Sequence, residues 1–215
     1  MNQQNPITES SFSEYISDPF NPVPYTAKFQ DSKAFYNPVH LIEDQRYVST
    51  RPDVLTFESH VLSSDITIAG PIIADLFVST TGTDADFVVK VIDVYPDDED
   101  DPDPNPAKVE MGGYERLVRT EIFRGKFRNS YENPEPFEPN KVTEVKINLN
   151  DAFHTFKTRH KIMIQVSSSY FPFFDVNPNT FCDIYNADKD KFVKANIKIY
   201  HSKDFSSNVV FKILK

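Results

Sequence analysis

Short runs in which apolar and polar side chains alternate one by one recur along this chain, and they leave room for few folds. In "TEVKINL" Val145, Ile147 and Leu149 alternate with polar neighbours; in "KIMIQV" Ile162, Ile164 and Val166 do so, and in "ANIKIY" Ala195, Ile197 and Ile199. A period of two lines up apolar side chains on one face of an extended strand and cannot make the stripe of a helix. "DITIAG", "IIADLFVS", "DFVVKVIDVY", "ERLVRTEIF" and "NVVFKIL" carry similar signals. They are separated by turn-rich loops, and no long segment has a period of 3.6. The pattern therefore predicts an all-β chain folded as a two-sheet β-sandwich, with a jelly roll as the expected version. A chain of 215 residues is long enough to bury one large core of this kind.

Residues 1–50 read differently. Pro19, Pro22 and Pro24 in "SDPFNPVPYTAKF" favour an extended backbone. We therefore expect a proline-rich arm or linker over residues 1–50 and the sandwich over residues 51–215. A disordered tail is the alternative. Against it stand Phe12, Tyr15, Phe20, Tyr25, Phe29 and Phe35, an apolar set that suits an arm lying along a surface.

The formal charge of −9 argues against sequence-independent binding to phosphate backbones, which requires a basic face, so no nucleic-acid partner is expected. The stretch "RLVRTEIFRGKFRNSY" mixes Arg116, Arg119, Arg124, Lys126 and Arg128 with Phe123, Phe127 and Tyr131, as an RNA-binding strand would. The competing reading is a strand whose basic residues pair with the acidic surplus elsewhere. No run approaches the roughly 20 apolar residues of a membrane helix, and "MNQQNPITESSF" lacks the basic and apolar regions of a signal peptide. A soluble chain with no membrane partner is expected. A cut inside a longer protein would leave an equally polar start, so the compartment stays open, a periplasmic or secreted parent included.

Tests for chemistry come back empty. A nucleophile elbow of the form G-x-S-x-G needs two glycines four positions apart; the five here are Gly70, Gly82, Gly112, Gly113 and Gly125, and no pair fits. The same scarcity excludes a P-loop and a G-x-G-x-x-G dinucleotide turn. The histidines (His40, His60, His154, His160 and His201) form no H-E-x-x-H, and one cysteine, Cys182, allows neither C-x-x-C nor an internal disulfide. The acidic run "DDEDDPDPNP" at residues 97–106 lacks the alternating ligands, central Gly and closing Glu of a calcium loop, and reads as a solvated hairpin loop. No catalytic residue, cofactor or metal ligand is expected. An independent enzyme would need a site improvised from residues such as His154, Asp175 and Cys182.

One stretch asks for a partner. "SSSYFPFFDVNPNT", residues 167–180, places Tyr170, Phe171, Phe173 and Phe174 within five positions, while Pro172 and Pro178 interrupt any regular element that could turn all four rings inward. They either fold back over an open end of the sandwich or face another domain. A third use, stacking on sugars in a free-standing carbohydrate-binding jelly roll, has ten Tyr to draw on but no Trp.

"SDPFNPVPY" (17–25), "EDQRYVSTRPDVLTF" (43–57), "ITIAGPIIADLFVSTTGTDADFVVKVIDVYPDD" (66–98) and the stretch 119–180 that contains "RGKFRNS" and "FPFFDVNPNT" together resemble the C-terminal domain of the X-Pro dipeptidyl-peptidase and CocE/NonD acyl-esterase family. The resemblance covers nearly the whole chain beyond the first dozen residues. It implies a jelly-roll, galactose-binding-like domain that packs against an α/β-hydrolase domain carrying a Ser-Asp-His triad. It also implies ester or amide hydrolysis by the parent, and it is compatible with a homo-oligomer. With the elbow missing, no family catalytic residue maps onto any position here. Phe20, Tyr25, Tyr170, Phe171, Phe173 and Phe174 are then the candidate interface with the hydrolase domain.

Overall fold

The computed structural model describes residues 8–28 and 38–214; Phe29 and Phe35 of the expected arm lie outside them. Two antiparallel sheets face each other. One has the order β1 (Phe12–Ser17), β8 (Ala195–Tyr200), β3 (Ile66–Thr80), β6 (Thr143–Phe156), with β9 (Asn208–Val210) also on β3; the other runs β2 (Leu55–Glu58), β7 (Lys161–Ser167), β4 (Asp86–Val94), β5 (Glu115–Arg124). β1 pairs with β8, β2 with β7, β3 with β6 and β4 with β5. This nesting is that of one long hairpin folded over onto itself, which is the jelly roll.

Alternation builds the core. Ile68, Ile72, Ala74, Leu76 and Val78 of β3, Val145, Ile147 and Leu149 of β6, and Ile197 and Ile199 of β8 meet Phe87, Val89 and Val91 of β4 and Ile162 and Val166 of β7. The runs "DITIAG" and "IIADLFVS" prove to be one 15-residue strand. They are joined through Gly70 and Pro71, where the pairing with β6 shifts register. The extra residue lies on β6 around Asn150, whose φ of 64° suits an Asn in the left-handed region. After it, the inward positions of β6 change from Val145, Ile147 and Leu149 to Ala152, His154 and Phe156. Pro71 is tolerated because it sits at this bulge.

Phe12–Ser17, inside the proline-rich stretch, is a strand at the edge of the first sheet. The chain then crosses to the outer face of the second sheet, which residues 18–28 and 38–54 help to cover. The acidic run is the connection between β4 and β5. One of its carboxylates, Asp101, accepts from the Met111 N–H at 2.8 Å, and another, Asp98, pairs with the Arg159 guanidinium.

Candidate domain interface

The strand β4 shows how the site is built. Its odd positions feed the core, and Val88 and Lys90 point the other way, yet both are buried. What covers them is the segment before β2 together with the loop after β7. Tyr25 donates its N–H to the Phe171 carbonyl at 2.9 Å, and Phe171 donates to the Val23 carbonyl at 2.9 Å. The Val23 N–H reaches Ser169 Oγ at 2.7 Å. A proline-rich segment with few free N–H groups can thus be fixed by a few bonds beside a loop. Tyr25, Tyr170 and Val88 form one small apolar cluster, and Val23, Val48 and Val54 another.

Burial under this cover has an electrostatic consequence. Lys90 Nζ donates to Gln45 Oε1 at 2.8 Å and lies 4.9 Å from the centre of the Tyr170 ring. Gln45 in turn donates from Nε2 to the Glu43 carbonyl at 2.7 Å. Removal from water pushes the Lys90 ammonium down to about 7, against the pull of Glu115 and Glu43. Burial likewise pushes Glu115 up to about 7.

A second polar group pins the far end of the loop. Arg124 reaches Asp175 at 2.8 Å and Asp86 at 3.3 Å, and Asn177 donates to Asp86 at 2.7 Å. Burial pushes Asp86 up to about 7, with Arg124 and Asn177 opposing the shift. The basic stretch once compared with an RNA-binding strand spends its cations in the same way. Arg119 donates to the Leu149 carbonyl, Lys126 to that of Cys182, and Arg128 to those of Gly125, Glu135 and Pro136. Its positive charge satisfies internal acceptors.

The six candidate interface residues separate into two groups. Tyr25 and Tyr170, 4% and 1% exposed, pack inward with His40 and Phe173 in a ring cluster at centroid distances of 5.2 to 6.0 Å. Phe174 is half-buried beneath the Arg124 guanidinium, 4.9 Å from its ring centre. Phe20, Phe171 and Phe173 are 68%, 42% and 43% exposed. Phe20 leans on Phe192 at 6.5 Å. The rings of residues 170–174 therefore do both things at once: Tyr170 anchors the loop in this fold, and Phe171 and Phe173 remain on the surface.

His154, Asp175 and Cys182 do not form a common site. His154 is bonded to Asp93 near one end of β4, whereas Asp175 is tied through Arg124 to Asp86 at the other end. Asp93 lies seven residue steps along β4 from Asp86, about 23 Å at the usual strand rise. Sequence reading missed Asp93. Its buried carboxylate lies 2.7 Å from His160 Nδ1 and 2.9 Å from His154 Nε2, joining β4 and the turn before β7 to β6 of the opposite sheet. The only signal was an Asp inside the apolar run of β4. Among the described residues no group of three or more His, Cys, Asp or Glu is arranged to hold a metal ion, and no helix is long and apolar enough to cross a membrane.

Two antiparallel sheets, with part of the outer face of the second covered by the chain's own lead-in segment, define an all-β jelly-roll domain. Comparison with known proteins gives the family. Residues 6–210 match the model of the X-Pro dipeptidyl-peptidase C-terminal non-catalytic domain, and the chain belongs to that family. It is 32% identical over 208 residues to cocaine esterase of Rhodococcus sp. (strain MB1 Bresler), a match that covers 97% of this chain and 33% of the esterase. Among solved structures it resembles an aminopeptidase from a marine sediment archaeon, Thaumarchaeota archaeon, with a TM-score of 0.90, 36% identity, and 99% of this chain against 34% of that one. It also resembles an α-amino acid ester hydrolase, with a TM-score of 0.88, 37% identity, and 98% against 34%. The chain spans about a third of the length of these relatives.

Proposed function

We propose that this domain supports a serine hydrolase region in the same polypeptide, and that cleavage of an ester or amide is carried out entirely by that region. The observation that carries the reading is the coverage: nearly all of this chain aligns, with only a third of an esterase, an ester hydrolase and an aminopeptidase. Phe20, Phe171 and Phe173 supply apolar contacts at the junction. Burying one Phe side chain is worth roughly 1.5 to 3 kcal/mol, so a few such rings suffice to fix a domain interface. The buried Tyr25 and Tyr170 and the half-buried Phe174 hold the exposed rings in place. Deleting this domain from the parent should cost stability or solubility before it costs chemistry; a hydrolase that stays fully stable and soluble after the deletion would refute the role.

A second reading has one observation in its favour. On the outer side of the first sheet, Phe12, Tyr200, Phe205 and Phe77 follow one another at centroid distances of 5.8, 6.0 and 5.7 Å. Rings in a row are the raw material of a sugar-stacking surface, although neighbouring planes here are tilted by 51 to 65°. Screening the chain against a glycan panel tests this reading; saturable binding that Phe12→Ala abolishes would promote it.

A further inference from the structure

The strand β5 ends the second sheet, and the backbone of its outward edge is largely unpaired. The Gly125 N–H bonds to the Ala85 carbonyl. In an antiparallel ladder, residues alternate between those bonded to the neighbouring strand and those whose N–H and C=O point away from it. With Phe87 opposite Phe123 and Val89 opposite Glu121, the outward-pointing residues of β5 are Thr120, Ile122 and Arg124. Nearer the start of β5 such positions are used: Gln45 donates its N–H to the Glu115 carbonyl, and the Glu115 N–H reaches Asp44. Beyond Leu117 no backbone group among the described residues pairs with this edge. The Ile122 N–H is met only by the neighbouring Glu121 carboxylate, at 3.1 Å. Thr120 Oγ1 is buried with no hydrogen-bond partner.

Two clefts lie along the same edge, on the side where the Thr120 and Ile122 side chains project. One is lined by Leu41, Leu117, Thr120, Ile122, Tyr170 and Phe173, the other by Ile122, Arg124, Phe127, Tyr131 and Phe174. An edge with open donors and acceptors, flanked by pockets that can take alternate side chains, is the acceptor geometry for an added strand. Such edges are ordinarily covered or blunted in folded proteins.

We propose that an extended segment of the hydrolase region adds to sheet two along β5, antiparallel or parallel to Thr120–Arg124, with alternate apolar side chains in the two clefts. This rests on the reading of a hydrolase region in cis. The occupant is assigned to that region because about two thirds of the length of each relative lies outside the part that matches this chain.

Hydrogen exchange, measured on the full-length polypeptide and on the 215-residue chain, tests it. In the full-length protein the amides of Thr120, Ile122 and Arg124 should exchange about 100-fold more slowly or better, since an edge amide gains protection only when a partner closes over it. A Thr120→Pro variant should leave the far-ultraviolet spectrum and stability of the chain alone unchanged, because that N–H takes no part in the β4 ladder. In the full-length protein it should erase the protection at Ile122. Equal exchange in the two proteins would overturn the strand addition. If the two regions still unfolded together in that case, the docking of the domain would survive and only its mode would be wrong. Protection that rises with protein concentration, together with a dimeric mass, would overturn the proposal in favour of a second copy of this chain.

Discussion

Replacing Lys90 with Met should change how the stability of this domain depends on pH. Lys90 is almost wholly out of water, with one hydrogen bond to Gln45 and its ammonium pushed down to about 7. In the unfolded chain it recovers a value near 10.5. Between those limits the unfolded state binds more protons than the folded one, so wild-type stability rises with pH from about 7 upwards and is lost as pH falls through 7. At roughly 1.4 kcal/mol per pH unit the gain between pH 7 and pH 9 is about 2 kcal/mol, allowing for half-titration at the lower end. Met fills much the same volume and carries no proton. It strands Gln45 Oε1, a cost of about 1 to 3 kcal/mol that does not vary with pH. Glu115 and Asp86, raised by burial, act in the opposite sense: each stabilises at low pH and loses that contribution as pH rises through 7. Most of that loss is complete just above pH 7, and the difference between the two proteins removes much of the remainder, so the window pH 7–9 reports chiefly on Lys90. Urea denaturation of both proteins at half-unit intervals gives the difference directly. The advantage of wild type over Lys90→Met should grow by about 2 kcal/mol across that range. A difference that stays constant would refute the burial of an uncharged lysine beneath the covering segment.

Other outcomes follow from the same packing. Asp93→Ala leaves the buried His160 and the His154 imidazole without their shared acceptor, and should destabilise the chain by about 3 kcal/mol in urea melts. Gly82→Ala would place a Cβ 2.2 Å from the Asn179 carbonyl oxygen; the turn after β3 or the loop beneath it must move, at a cost of about 1 to 3 kcal/mol and a lower Tm. Tyr170→Ala should cost about 3 to 5 kcal/mol in the isolated chain, because that ring is fully buried. Phe171→Ser should cost only about 1 to 2 kcal/mol there and weaken the stability of the full-length protein further, a contrast that denaturation of both forms reads out.

The sandwich was legible because a strand with one face on the core must alternate, and β6, β7 and β8 do so plainly. β1 was hidden by its neighbours: its six residues precede a proline-rich run and carry Phe12 and Ile16 on the exposed side. β3 was split into two signals because a Gly-Pro pair normally punctuates, whereas here a bulge on β6 absorbs the interruption. The buried charges were illegible for a different reason. Lys90 stands in an apolar run where a polar residue ordinarily marks the solvent face, and that face is closed by segments distant in sequence, a closure no local pattern records. Asp93 points the other way, between the sheets, where its partners His154 and His160 come from residues far along the chain. The aromatic loop showed as an anomaly, but the division between Tyr170 inside and Phe171 outside depends on the docking of Tyr25 and His40 against it. Only the assembled structure contains that contact.

The position of the reactive nucleophile separates a supporting domain from an enzyme in its own right. Labelling the full-length polypeptide and the isolated 215-residue chain with a fluorophosphonate, while following p-nitrophenyl ester hydrolysis, locates it. The prediction is turnover and one labelled serine in the full-length protein, the adduct mapping outside these 215 residues, with neither label nor turnover in the isolated chain. Stoichiometric label and turnover in the isolated chain would contradict it and place a nucleophile inside the jelly roll.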